Sequence, residues 1–230
     1  MQAEVAQKER EVTSLVDRAY AWIKHQILTD VLPAGEIIDD SAIAQRLGVS
    51  RTPVRDAIRL LHAQGYLEVL PRKATRVAFL RVSDMRHVYQ LITALEVEAV
   101  ALIAGQRLGE TGLAPLREAV AAMREVDAAA GQLADWHSAD ERFHRGLLQL
   151  CGNPWIARVG LEHRDFVQRA HLVALRLRNV TSTSTAVHAE LVDLLAAGDV
   201  AAATANHLAQ RNRMENDLIG AVERAGLKAL

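Results

Sequence analysis

Three arginines at helical spacing and one carboxylate–imidazole pair are the side chains in this 230-residue sequence best placed to do chemistry. Arg51, Arg55 and Arg59 recur at every fourth residue, so on a helix they line one face. A guanidinium can grip a guanine edge with two parallel N–H groups or neutralise a phosphate, and a helix fits the DNA major groove. Asp140 and His144 are also four residues apart, so both project from one helix face toward one point. A carboxylate and several imidazoles drawn from different helices can hold a divalent transition metal and leave positions open. Each pattern has a plainer reading. Arginines on a helix are commonly a solvated face. Asp140 with His144 reads, on spacing alone, first as a surface ion pair, and nine histidines make chance pairings expected.

The arginines lie in the stretch DSAIAQRLGVSRTPVRDAIR, Asp40 to Arg59. Asp40 or Ser41 can cap a short helix carrying Ile43, Ala44 and Leu47, and Gly48 stops it. Ser50 can cap a second helix with Pro53 in its first turn, where a missing N–H costs little. Its inward stripe is Val54, Ala57, Ile58 and Leu61, opposite the arginines. Two short helices joined through Gly-Val-Ser have the sequence form of a helix-turn-helix. Gly65 ends the second helix. Tyr66–Leu70 and Thr75–Phe79, rich in strand formers, then flank Pro71-Arg72-Lys73-Ala74 as a β-hairpin. Arg72, Lys73 and Arg76 on that hairpin are placed to meet phosphates or the minor groove; a solvated tip is the bland alternative. Upstream, residues 1–12 read as a frayed arm, and Ser14 with Asp17 resembles a capping box. Leu15, Ala19, Trp22, Ile23, Ile27 and Leu28 follow as a helical stripe, with Trp22 as core.

Half of the chain is apolar but only 4% is aromatic, which favours packed helices over sheets. The net charge of −1 carries no global signal for nucleic acid. Locally, seven cations face two carboxylates between Arg46 and Arg76, a balance of +5 that suits a DNA-binding module joined to something else. Cys151 stands alone, so there is neither a disulfide framework nor a cysteine zinc site, and it reads as a small buried hydrophobe. No apolar run approaches about 18 residues free of charge, so no membrane span is expected. The polar opening is unlike a signal peptide, and a cytoplasmic protein follows. From Asp84, read as a cap, the pattern is helical throughout. Breaks fall at Gly109–Gly112, Ala130-Gly131, Cys151–Pro154, Asn179–Thr183 and Gly198-Asp199. About six antiparallel helices follow, a bundle rather than a solenoid. The predicted fold is mostly α, with a winged helix-turn-helix over 1–79 and an all-helical bundle over 84–230.

GVSRTPVRDAI and the hairpin after it resemble the winged helix-turn-helix of the GntR superfamily of bacterial regulators, as does the Leu32-Pro33-Ala34-Gly35-Glu36 turn. The resemblance implies a DNA-contacting set of Ser41, Ser50, Arg51, Thr52, Arg55, Arg59, Arg72, Lys73 and Arg76. Ser41 stands where relatives often carry arginine, and Ala74 where wings usually have glycine. The run Asp140-Glu-Arg-Phe-His144, then Gly152-Asn153-Pro154, His188, Gly198-Asp199 and His207-Leu208 resemble the all-helical FCD ligand domain of the FadR-like branch. That likeness implies zinc, nickel or manganese held by Asp140, His144, His188 and a last histidine, with an effector's carboxylate taking the open positions. In relatives the last histidine falls at the position of Gln210 here, three residues beyond His207. Either His207 is the fourth ligand or Gln210 is a weak oxygen donor. His137 is a spare candidate on the Asp140 face, His163 and His171 can support ligands, and His25, His62 and His87 are ordinary surface or packing residues. Where relatives read Arg-x-x-Leu-Glu, this chain has Ile92-Thr93-Ala94-Leu95-Glu96. Losing that guanidinium suggests a smaller, less acidic or differently oriented effector, with Glu96 and Gln210 in its pocket.

The resemblance therefore implies a homodimeric repressor of operator DNA, governed by a small organic acid. Two alternatives stand beside it. One is a metal-dependent hydrolase using Asp140, His144, His188 and a bound water, which leaves the helix-turn-helix unexplained and lacks an evident general base. The other is a DNA-binding protein whose bundle only dimerises.

Overall fold

The opening residues are good helix formers, and in the computed structural model, which describes residues 2–71, 74–129, 133–175, 183–224 and 229, they extend the first helix. α1 runs Gln2–Leu28, so residues 2–12 are helical rather than a frayed arm, and Ser14 lies inside the helix instead of capping it. Propensity over Gln, Ala, Glu, Lys and Arg outweighs a single capping signal. The chain divides into two compact units, Met1–Leu80 and Arg81–Leu230.

In the first unit α1 buries Ala19, Ile23 and Ile27 and packs on α3. Trp22 is only half-buried, with the Arg46 guanidinium 5.5 Å from its ring centre. α2 spans Asp40–Leu47, and its cap is Asp39 rather than Asp40 or Ser41. Asp39 Oδ1 accepts hydrogen bonds from the backbone N–H groups of Ser41 (2.9 Å) and Ala42 (3.1 Å). Three capping residues in a row leave the choice to the chain's approach, which puts Asp39 in the extended region and Asp40 already in the helix. Gly48, at φ 64°, ends α2. α3 spans Arg51–Ala63 behind an extended Ser50 whose side chain makes no cap bond; it buries Val54, Ala57 and Leu61.

β1 (Leu67–Val69) and β2 (Thr75–Val77) pair antiparallel, with Leu67 opposite Val77 and Glu68 opposite Arg76. They are shorter than the alternating pattern suggested, but β2 is not left as a bare edge. Val77 N–H donates to the Glu36 carbonyl and Ile38 N–H to that of Thr75, both at 2.8 Å. The turn that delivers this segment needs φ 85° at Gly35, where a Cβ would come 2.9 Å from the Phe79 ring.

The second unit is a helical bundle of α4 (Val82–Gln106), α5 (Gly109–Ala128), α6 (Leu133–Leu150), α7 (Pro154–Leu175), α8 (Thr183–Ala197) and α9 (Val200–Arg224). Arg81, not Asp84, is the residue before α4; Asp84 lies in the first turn, where its charge suits the helix N-terminus. Asn153 caps α7, with Pro154 as its first residue, and Asp199 caps α9. The core gathers Ile103, Leu113, Leu116, Met123, Phe143, Leu147, Leu191 and Leu195. Cys151 is buried and free among the described residues. On length and composition alone α4 could cross a membrane. In the fold its stripe of Met85, Tyr89, Ile92, Ala99 and Ile103 is buried, and it packs against α6, α7, α8 and α9. That stripe is interrupted by one charge, Glu96, which is fully buried.

Two glycine substitutions test the turns of the first unit. Gly48→Ala has open space around its Cβ, so it should cost only the left-handed backbone penalty, about 1–2 kcal/mol. Gly35→Ala carries the same penalty and in addition must displace Phe79. Denaturant unfolding should therefore rank Gly35→Ala as the more destabilised of the two.

Candidate functional site

The exposed face of α3 presents the three arginines together. Arg51, Arg55 and Arg59 are 53%, 56% and 79% exposed at the side chain. Arg51 and Arg55 converge on one carboxylate. Arg51 Nη2 donates to both oxygens of Asp40, at 2.8 and 3.1 Å, and Arg55 Nε donates to Asp40 Oδ2 at 2.7 Å. Arg59 instead pairs with Asp56 on its own helix. Ser41, Ser50 and Thr52 are exposed around this face, and the Ser41 hydroxyl lies 3.3 Å from Asp40 Oδ1. On the hairpin, Arg76 Nε donates to Glu68 Oε1 at 2.7 Å while its guanidinium rests 5.4 Å from the Phe79 ring centre. Arg72 and Lys73 lie outside the described residues.

The second concentration of charge is buried inside the bundle and is built on Glu96. Its Oε1 accepts from Arg164 Nη1 at 2.7 Å. Its Oε2 lies 3.0 Å from His144 Nδ1, 3.0 Å from His207 Nε2 and 3.5 Å from Arg211 Nε. One carboxylate of α4 thereby reaches α6, α7 and α9. Beyond His144 stands Asp140, whose Oδ1 is 3.5 Å from His144 Nε2 and 3.1 Å from His188 Nε2. Gln210 Nε2 sits 2.8 Å from His188 Nε2. Arg164 continues through Nε to Glu141 Oε2 at 3.1 Å, and Arg145 links Glu141 to Asp165. Phe143 holds the His188 ring edge-to-face at 4.6 Å. A cavity of about 10 Å³ lies among Trp136, Asp140, His144, His188, Gln210, Arg211 and Met214, a size for one ion or one water.

Opposed effects decide the charges here. Burial pushes the Glu96 carboxyl up, but His144, Arg164 and Arg211 outweigh it and hold it well below the usual range. Asp140 is likewise kept ionised against burial by His144 and His188. For His144, burial and Arg164 favour the neutral ring, yet Glu96 and Asp140 prevail and its pKa is raised. Burial wins at His207, pushing it down to about 4 despite Glu96. His207 is thus a neutral imidazole donating from Nε2, with a buried Nδ1 that meets no hydrogen-bond partner among the described residues.

Two overlapping donor groups could hold an ion: Asp140, His144 and His188, and Glu96, His144 and His207. Metal bonds of about 2.0–2.2 Å set neighbouring donors about 2.9–3.5 Å apart, and the first group's 3.1 and 3.5 Å fit that spacing. In the same group the far nitrogen of His144 is already anchored on a carboxylate, as ligating imidazoles usually are. Gln210 Oε1, next to it, is buried without a hydrogen-bond partner among the described residues, an acceptor suited to a cation.

The structure thus brings Asp140, His144, His188 and Gln210 around one cavity. His207 does not line that cavity; it meets Glu96 Oε2 beside His144, in the second group. His137 is buried nearby on α6 with its ring edge on Trp136. His163 turns its Nδ1 to the Val159 carbonyl within its own helix. His25, His62 and His87 are exposed, and the His171 side chain lies outside the described residues. Arg164 and Arg211 are the partners of Glu96 that spacing did not single out. Both are fully buried, each with an Nη2 lacking a hydrogen-bond partner among the described residues. Each left a signal: an arginine on the inward stripe of its helix, between Gly160 and Val167 in α7 and after His207 in α9. They bring guanidinium groups to Glu96 although position 92 is isoleucine.

Comparison with known proteins agrees with both halves. Residues 15–77 match the family described as bacterial regulatory proteins, gntR family, and residues 87–210 match the FCD domain. The chain is 34% identical over 139 residues, 58% of its length and 78% of the relative's, to an uncharacterized HTH-type transcriptional regulator in the TAR-I ttuE-ttuC' intergenic region of Agrobacterium vitis. It is 30% identical over 192 residues, 81% of each chain, to a probable D-xylose utilization operon transcriptional repressor of Paenarthrobacter nicotinovorans. Its fold is similar to that of a GntR regulator from Rhodococcus sp. RHA1, with a TM-score of 0.75 at 21% identity over 90% of this chain and 98% of the other. These relatives are regulators, not enzymes, which removes the hydrolase alternative. The chain belongs to the GntR family of bacterial transcriptional regulators, and it carries an FCD domain behind its DNA-binding helix-turn-helix.

Proposed function

We propose that this regulator is a homodimeric repressor whose hold on operator DNA is loosened by a small carboxylate effector bound in the bundle beside a divalent transition metal. The observation that carries the reading is the buried Asp140–His144–His188 group around a cavity edged by Gln210 and Arg211. So many buried polar groups are expensive to keep unless they are paired or bind something. Asp140, His144 and His188 would hold zinc, nickel or manganese, with Gln210 or His207 as the further donor. The ion would supply a Lewis-acidic anchor for a carboxylate. Arg211, on the cavity wall with a buried Nη2 that meets no hydrogen-bond partner among the described residues, offers N–H to the remaining oxygens of such an anion.

The cavity is too small for an organic acid, so effector binding must move its α9 wall, where Gln210, Arg211 and Met214 lie. Met214 is a flexible thioether that can yield. A ligand that favours one arrangement of α9 shifts the balance between two states of the bundle. The chain leaves the first unit at Leu80 and enters α4 at Val82, so a shift in α4 has a short covalent route to the reader. The repressor sense is supported by the D-xylose operon relative's name. A bundle that only dimerises is the competing reading, and it leaves the buried donor groups without a role.

Three outcomes are expected. Arg55→Ala should lose about 1–3 kcal/mol on a duplex selected by the wild-type protein, if Arg55 reads a base; anisotropy titration measures it, and unchanged affinity removes Arg55 from readout. Elemental analysis of wild type supplied with zinc, nickel or manganese should find one ion per chain. That ion should be lost in His188→Ala along with thermal stability, and comparing His207→Ala with Gln210→Ala identifies the fourth donor. An effector found by thermal shift among small carboxylic acids should weaken DNA binding with a coupling of about 1–3 kcal/mol, and DNA must weaken effector binding by the same factor. Calorimetry showing a tight acid whose affinity ignores DNA would sink the allosteric reading.

A further inference from the structure

The Asp40 carboxylate is the least expected feature of the DNA-reading face. It lies in the first turn of α2, yet it does not cap that helix; Asp39 does. It faces α3 instead and takes hydrogen bonds from two of the three arginines on the exposed face. Burial works against its charge, but the bonds from Arg55 and Arg51 win and hold it below the usual carboxylate range. It is therefore ionised at neutral pH.

The way each arginine is held matters more than the fact of pairing. Arg51 places a single nitrogen, Nη2, between both Asp40 oxygens. Arg55 is held from the side, through Nε alone, with Asp40 its sole partner among the described residues. Its two terminal nitrogens, the pair that matches the O6 and N7 acceptors of guanine, make no hydrogen bond to a described residue, on a side chain that is 56% exposed. A side chain with several free torsions is thus fixed with its recognition fork open. The same carboxylate also reduces the charge of the cluster from two positive groups to a net of one, which lowers attraction to any phosphate regardless of sequence.

We propose that Asp40 is a specificity-determining positioning residue: it holds Arg55 by Nε with its terminal nitrogens free for base readout, ties down Nη2 of Arg51, and suppresses the use of both arginines as unselective phosphate contacts. The proposal rests on α3 being the DNA-reading helix.

The test uses the full-length protein, a duplex selected by the wild type from a randomised pool, and a scrambled duplex of equal composition. Affinities of wild type and Asp40→Asn are measured by anisotropy across a salt series. Asparagine keeps the shape, and the Asp39 cap is untouched, so the melting temperature should hold. Losing the carboxylate should tighten binding to the scrambled duplex about three- to tenfold and steepen its log–log salt slope by about 0.9, one extra phosphate contact. Binding to the selected duplex should stay equal or weaken, so the ratio of the two affinities falls at least about three- to tenfold, and further where the Arg55 fork, once released, reads its base less well. Asp40→Glu should recover most of the ratio. In an Arg51→Ala/Arg55→Ala background, Asp40→Asn should leave the ratio unchanged within about twofold, because the coupled partners are gone.

Affinity changes by one common factor on both duplexes would overturn the proposal, since they mark a bulk charge effect only. A new preferred base in a selection repeated with Asp40→Asn, at undiminished ratio, would also overturn it, because Asp40 would then touch DNA itself. If the wild type selects no sequence at all, the reading of α3 falls and the proposal with it, an outcome distinct from a wild type that selects well while Asp40→Asn keeps its ratio.

Discussion

The bundle depends on one carboxylate that cannot be left alone. Glu96 is wholly inaccessible to solvent in the middle of α4, where an unpaired charge would cost several kcal/mol. The fold answers with donors from three other helices: Arg164 from α7, His144 from α6, and His207 and Arg211 from α9. Meeting Glu96 fixes how those helices sit against α4. It also fixes the tautomer of His207 and the orientation of His144, whose other nitrogen then faces Asp140 and the cavity. The candidate ligand site is thus a consequence of the pairing that α4 demands.

Arginine serves opposite purposes in the two units. Arg51 and Arg55 are more than half exposed and share a carboxylate in water-accessible surroundings, where an ion pair contributes little to stability. Their pairing governs where a fork points. Arg164 and Arg211 are buried, and their pairs are indispensable because removing one partner strands the other. Water screens the first pairing, whereas the buried pairs have no competitor for their partners. Arg211, although buried, also borders the cavity: it neighbours Glu96 and lies 4.8 Å from the Tyr89 ring centre.

What could be read from the sequence follows the range of the interactions. The helix-turn-helix, the hairpin and the breaks at Asn153-Pro154 and Gly198-Asp199 are set by neighbours a few residues apart, so local pattern suffices. The spacing likewise set Asp140 and His144 on one helix face, but on spacing alone it pointed to a surface ion pair, whereas both are buried. Glu96 was not legible as a hub, because its partners lie 48, 68 and 111 residues away. Arg164 is one arginine in a helix until its inward position is known. The choice of Asp39 over Asp40 and Ser41 as cap was also beyond local pattern, and the same geometry turns Asp40 from a capping candidate into the partner of two arginines.

The claim that the Glu96 network organises the bundle is tested most directly by denaturant unfolding of Glu96→Gln, which keeps the shape and removes the charge. Glu96→Gln should lose about 3–5 kcal/mol, the usual cost of stranding a buried partner, and its second unit should unfold ahead of the first. A variant within about 0.5 kcal/mol of wild type, the range of an ordinary surface substitution, would contradict the claim.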